Sequence, residues 1–221
     1  MIVKGNKSIR EYKYLLAFDL ASHNTGICLW DIENNKPVDT FLMVTKKSDN
    51  FVYDLYNNLN IFFSDLKNKN IDLKNIFVCK EAMPSQLRGG NSTVQTFISL
   101  SKSHAILDLF LQQNNIDVYD YVGIYPATTH ACLRKLLNVD SKTSIDKTTI
   151  KEYIKNEFNL ETRTFDESDA AFLAVTLITN KWDKDLLEEI KEVKKHKKTL
   201  KASKAIADCD AKLEFLNSLI I

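Results

Sequence analysis

Residues 12–31 read YKYLLAFDLASHNTGICLWD. Two short apolar runs, YKYLLAFDL (12–20) and TGICLWD (25–31), flank the polar turn around ASHN, and a third, PVDTFLMVT (37–45), follows after another polar break. Short β-rich runs separated by turn residues are the pattern of consecutive hairpin strands. Asp19 closes the strand within the first run, after four apolar residues from Leu15 to Phe18. A strand with so apolar a course is interior, so its end delivers a carboxylate to the rim of a sheet. An aspartate there also serves as an ordinary turn cap, and one acid decides nothing.

Downstream the periodicity changes. Leu55, Leu59, Phe62, Phe63 and Leu66 recur every three or four residues and predict a helix over about 51–67. IFVCKE (76–81) reads as a buried strand and 91–113 as a long helix capped by Asn91 or Ser92, with Phe97, Leu100 and Ile106 on a stripe that is core or partly an interface, core being favoured, and His104 at a satisfied surface or interface position. VYDYVGIY (118–125) reads as a further strand ending at Pro126; short helices are expected at 127–137 and 145–157, and a buried helix from about Asp166 through AAFLAVTLI (170–178). The order βββαβα, then a strand and helices, predicts an α/β fold. Its mixed five-stranded sheet has three antiparallel strands extended by two parallel ones, with helices on its faces. Beyond Trp182 the texture changes to charges around an incomplete heptad stripe, so the expected division is a domain at 1–180 and a charged helical extension at 181–221.

Composition narrows the function. The 221 residues carry 30 Lys and Arg against 29 Asp and Glu, a formal charge of +1, so no whole-protein basic footprint argues for nucleic acid. Local charge is different: KEVKKHKKTLKASK (191–204) holds seven lysines against the single acid Glu192, readable either as a solvated helix face or as a phosphate contact. The four cysteines form no CxxC pair and lack histidine partners at zinc-site spacing, which favours reduced thiols. The polar start and the lack of any long apolar stretch give the expectation of a cytoplasmic protein with no membrane partner.

Three further acids join Asp19. Glu81 ends the fourth strand, and Asp166 and Asp169 stand three apart in FDESDAAFLAV, one turn apart on one helix face. Asp166 also suits helix N-terminal capping; Asp169 sits before the most apolar helix of the chain, where an unpaired charge is expensive. Lys80 is an odd neighbour for Glu81: it either neutralises the acids or faces away from them. Acids at the ends of the first and fourth strands and at the start of a late helix would converge at one sheet edge, and their repulsion calls for a cation. Hard oxygen ligands without His or Cys select magnesium or manganese, and two ions roughly 3.5–4 Å apart activate water and stabilise the leaving oxygen of a phosphodiester.

FDLASHNTGICLWD, the strand-end Glu81 and DESDAAFLAVTLI together resemble the RuvC-type Holliday junction resolvases of the RNase H-like superfamily, in particular their phage-encoded branch, over roughly residues 13 to 180. The resemblance implies a homodimeric endonuclease that binds four-way or branched DNA and nicks two strands of like polarity in recombination or repair, in the host cytoplasm if phage-encoded. Asp19, Glu81, Asp166 and Asp169 would be the catalytic metal ligands. It further implies a lysine near the start of the penultimate core helix, which SIDKTTI supplies as Lys147, to meet the scissile phosphate or the attacking water. Where the family has another basic residue, PATTH supplies His130. Arg88, in the RGG loop, is a candidate for DNA backbone contact or a surface turn.

Two other readings stay open. The register that puts Lys80 in the ligand position makes the chain a catalytically weakened junction binder. An actin-like ATPase or sugar kinase shares the opening strand turn but needs a second glycine-rich phosphate loop, and the chain has only five glycines.

Overall fold

In a computed structural model, residues 9–46, 48, 50–83, 94–119, 122–197, 199 and 203–218 are described. The chain forms two compact units, Met1–Thr176 and Leu177–Ile221. In the first, β1 (Tyr14–Asp19), β2 (Asn24–Asp31) and β3 (Lys36–Val44) make two antiparallel hairpin pairings, and β4 (Ile76–Lys80) and β5 (Asp117–Val118) add in parallel on the other side of β1. The order across the sheet is β3-β2-β1-β4-β5. This is the mixed five-stranded α/β sheet expected from the sequence. The central place of β1 explains its apolar course, since Leu15, Leu16, Ala17 and Phe18 are all fully buried.

The helices cover both faces. On one, Leu16, Phe18, Ile27, Leu29, Ile76 and Val78 pack against α1 (Phe51–Asn68) and α2 (Val94–Gln113). The stripe of α1 is the predicted one, with Phe62 partly buried. In α2 the buried positions are Ser103, His104, Leu107, Phe110 and Leu111; Leu100 and Ile106 only flank this core and Phe97 is half-buried. The opposite face of the sheet presents alternate residues, among them Trp30, whose ring meets Phe158 of α4 (Lys147–Phe158) edge-on. Tyr153 of α4 in turn packs on Phe172 of α5 (Phe165–Lys197). Between these elements α3 (Pro126–Leu137) starts on Pro126 and ends at Asn138 in the left-handed conformation, which asparagine tolerates.

The run 118–125 does not continue as one strand. Gly123 has φ +91°, and among the described residues pairing beyond β5 is the isolated parallel bridge between Ile124 and Glu81. A Cβ on Gly123 would meet the backbone at Lys80, Glu81 and Ala82 at 2.7–2.9 Å, so this glycine is required twice, for its φ and for its close approach. The proposed Asn91 or Ser92 cap lies outside the described residues.

In the second unit, the C-terminal turns of α5 pair with α6 (Ser203–Ser218). Ile190 and Val193 are buried and pack with Cys209 and Leu213. No described helix is long and apolar enough to cross a membrane.

Candidate active site

Strand register decides which side chains reach the site. Phe18 and Lys80 are partners across β1 and β4, and Phe18 lies in the core beneath α1 and α2. Lys80 therefore points to that same face. Its side chain is 1% exposed and its Nζ donates to Asp108 Oδ1 of α2 at 2.5 Å. One residue on, alternation sends Asp19 and Glu81 to the opposite face together. The Glu81 N–H donates to the Phe18 carbonyl at 3.0 Å, which keeps the two chain ends in step past the formal end of β4. The question left by the sequence, whether Lys80 or Glu81 turns toward the acids, is thus answered for Glu81.

The helix bearing the other two acids is seated by Gly26. Asp19 and Gly26 are cross-strand partners, and an added Cβ on Gly26 would lie 2.0 Å from the Asp166 carbonyl oxygen. Only a bare backbone at position 26 lets the first turn of α5 rest on the sheet beside Asp19. That first turn is capped by residues the sequence reading passed over. Thr164 Oγ1 accepts the Glu167 N–H at 3.2 Å, and the Glu167 carboxylate accepts the N–H groups of Thr164 at 3.0 Å and Arg163 at 2.8 Å. This is a reciprocal capping box, and its signature, T-x-x-E at 164–167, was visible in the sequence. Glu167 is fully buried; burial disfavours its charge, but the Arg163 guanidinium, 2.5 Å away, and the backbone donors hold its carboxyl below the ordinary range. With Thr164 and Glu167 as the cap, Asp166 is released from that role.

Lys147 opens α4 directly after its cap Asp146, whose carboxylate accepts the Thr149 N–H at 2.8 Å. Its Nζ lies 2.9 Å from Asp169 Oδ2 and 3.9 Å from Asp166 Oδ1. Asp19, Glu81, Thr129, His130, Lys147 and Asp169, with Pro126, Ile145, Asp146, Ile150 and Leu173, line one cleft of about 490 Å³. Asp166 stands at its flank, tied in through Lys147. Arg88 lies outside the described residues.

The electrostatics reflect crowding of like charge in a desolvated place. Asp19 is pushed well above the ordinary carboxylate range by burial first, then by Glu81 and Asp169. Glu81 is raised by burial, with Asp169 adding to it and a hydrogen bond from Asp19 opposing. Burial also raises Asp169, against the pull of Lys147. Burial disfavours the ammonium of Lys147, yet its hydrogen bond to Asp169 and the charges of Asp169, Asp19 and Asp166 hold its pKa above the ordinary value. One buried acceptor, Asp169 Oδ1, has no hydrogen-bond partner among the described residues.

Among the described residues no three acids, histidines or cysteines stand at the spacing of a formed metal cluster. In kind, the donor set fits a hard divalent cation: carboxylate oxygens on three separate elements, one of them an orphaned buried acceptor, with no thiol among the cleft residues.

No protein-family model and no curated protein matches this chain. Among solved structures the chain is similar to "T. thermophilus RuvC in complex with Holliday junction substrate", with a TM-score of 0.53 and 11% identity, covering 74% of this chain and 91% of that one. It is similar also to "Thermus thermophilus RuvC structure", with a TM-score of 0.53, 12% identity and coverage of 74% and 92%. Likeness at this identity speaks for architecture: the chain has the RuvC-type, RNase H-like fold.

Proposed function

We propose that this chain is a metal-dependent, structure-selective endonuclease that resolves Holliday junctions or branched DNA by paired nicks in strands of like polarity. Residues 1–180 would be the nuclease domain and 181–221 an added extension. The observation that carries this reading is the convergence of Asp19, Glu81 and Asp169, from a strand end, a neighbouring strand end and a helix start, on one cleft with Lys147. The solved RuvC–junction complex of like fold supports four-way DNA as the substrate.

Asp19, Glu81, Asp166 and Asp169 would hold magnesium or manganese, two ions per site. Bound there, the ions would supply Lewis-acid stabilisation of the phosphorane-like transition state and a water of lowered pKa. Asp19 and Asp169, held rigidly by β1 and by the α5 cap, fix where the charge sits. Lys147 is placed to contact a non-bridging phosphate oxygen or to orient the attacking water, and would give up its contact with Asp169 to do so. His130 offers the cleft a second donor toward phosphate, and Arg88 is retained as a candidate backbone contact. Two cuts related by a twofold axis require two such clefts, so the active form is a homodimer. A cytoplasmic site of action, a role in recombination or repair and a phage origin complete the proposal.

The weakened-binder reading rested on Lys80, whose ammonium lies on the other face of the sheet with Asp108. The direct test is incubation of the purified chain with a labelled synthetic four-way junction. Symmetric nicks that appear with magnesium and vanish with chelator support the proposal; an intact junction with either magnesium or manganese refutes it.

A further inference from the structure

The second unit carries a feature that the cleft does not use. Ile190 and Val193 turn one face of α5 toward Cys209 and Leu213, and Lys197 pairs with Asp210. Lys191, Lys194 and Lys195 are exposed, and at the helical period they occupy roughly 100° of arc on one flank of that apolar stripe. Glu192 and His196 fall on the other flank. None of the three lysines forms an ion pair with another described residue. Cations in a last turn complement the helix dipole, but one or two suffice for that. Lysines at i, i+3 and i+4 repel each other by a few tenths of a kcal/mol per pair, a cost that an anionic partner converts into attraction. Their spread along the axis, about 6 Å, spans roughly two nucleotide steps of a strand. In sequence the concentration continues beyond Lys195, seven lysines to one acid over 191–204.

We propose that this lysine flank of the α5–α6 hairpin is a second nucleic-acid surface that grips the phosphate backbone of a duplex arm without reading sequence. The choice of nucleic acid among polyanions rests on the nuclease reading of the cleft; the surface itself does not.

The test compares three full-length proteins: wild type, Lys191→Gln/Lys194→Gln/Lys195→Gln, and a charge-matched control, Lys36→Gln/Lys67→Gln/Lys74→Gln, at exposed lysines of the first unit. Glutamine keeps helix propensity close to that of lysine. Fluorescence anisotropy with a plain duplex and with a four-way junction, from 50 to 200 mM salt, gives the slope of log K against log salt. The expected result is a slope smaller by about 2–3 in the hairpin variant on both DNAs, near 0.9 per lost phosphate contact, and a wild-type slope in the control. Equal slopes for wild type and hairpin variant overturn the proposal, as does an equal fall in both variants. Lysine-dependent binding to phosphatidylserine vesicles with no DNA binding overturns it in favour of a membrane surface. A lysine-dependent slope in a protein that never nicks DNA leaves this surface standing and removes the nuclease reading. Nicking without lysine dependence does the reverse.

Discussion

Gly26 and Asp166 meet backbone to backbone: a single methyl group on Gly26 would sit 2.0 Å from the Asp166 carbonyl oxygen. Because Gly26 is also the cross-strand partner of Asp19, this contact sets the distance between the acid of β1 and the acids of α5. Gly26→Ala must push the start of α5 away by roughly 1 Å, a displacement large enough to cost on the order of 100-fold in a positioned reaction. The expected outcome is a loss of about 1–3 kcal/mol in urea unfolding, as for an overpacked core, and a drop in nicking rate well beyond what lost folding explains. Wild-type stability and rate in this variant would contradict the placement of α5.

The acids of the cleft make the metal-free protein less stable than it could be. The pKa of Asp19 is raised in the fold, so between its unfolded and folded values the native state binds more protons, and stability rises as pH falls through that window. Above the unfolded-state value the buried acid is a net penalty. Asp19→Asn should therefore raise the melting temperature at pH 7 without metal, by about 0.5–2 kcal/mol of stability, flatten the gain on acidification, and shrink the further rise expected with magnesium. Thermal melts of both proteins at pH 4 to 8, with and without magnesium, check this.

His104 has the opposite sign. Burial first, and then the charge of Lys80, lower its pKa from the ordinary 6.5 to about 4. As pH falls from 6.5 toward 4 the unfolded chain takes up a proton that the native state refuses, so stability is lost across that window, by at most about 3 kcal/mol. His104→Gln should remove this slope. Urea midpoints measured at half-unit steps from pH 4 to 7 decide it, and parallel curves for the two proteins would refute it.

Lys80 separates stability from chemistry. Lys80→Met leaves Asp108 without its partner and should cost about 1–3 kcal/mol, with part recovered by adding Asp108→Asn. Because its ammonium faces α2, the nicking rate per folded molecule should stay within a few fold of wild type. Loss of cutting in fully folded protein would place Lys80 in the site after all.

Much of this was legible in the chain. Asp19 and Glu81 stand at the ends of apolar strands, and a buried strand leaves its terminal residue only one direction to emerge. The face on which Lys80 lies was not legible, since it depends on the pairing of Phe18 with Lys80 across two strands 62 residues apart in sequence. The run 118–125 is not one strand: β5 ends at Val118, and Gly123 adopts a positive φ that its apolar neighbours do not announce. In α2, Phe97, Leu100 and Ile106 read as a core or partly interfacial stripe; they are half-buried, and Leu107, Phe110 and Leu111 bury fully. His104 follows them inward, because it lies one turn before Leu107 and Asp108, where Lys80 anchors the helix. The role of Asp166 was ambiguous until Thr164 and Glu167 were seen to cap α5 between them.

In the proposed function Asp169 contributes charge to a metal-dependent cut. Its Oδ2 meets Lys147 and its Oδ1 is buried with no hydrogen-bond partner among the described residues, so Asp169→Asn changes charge while keeping shape. Junction binding and magnesium-dependent nicking should be measured on the same preparation of this variant. Binding should stay within a few fold of wild type while cutting falls at least about 1,000-fold, the scale of losing one preorganised charge-stabilising group. Nicking at the wild-type rate would contradict it.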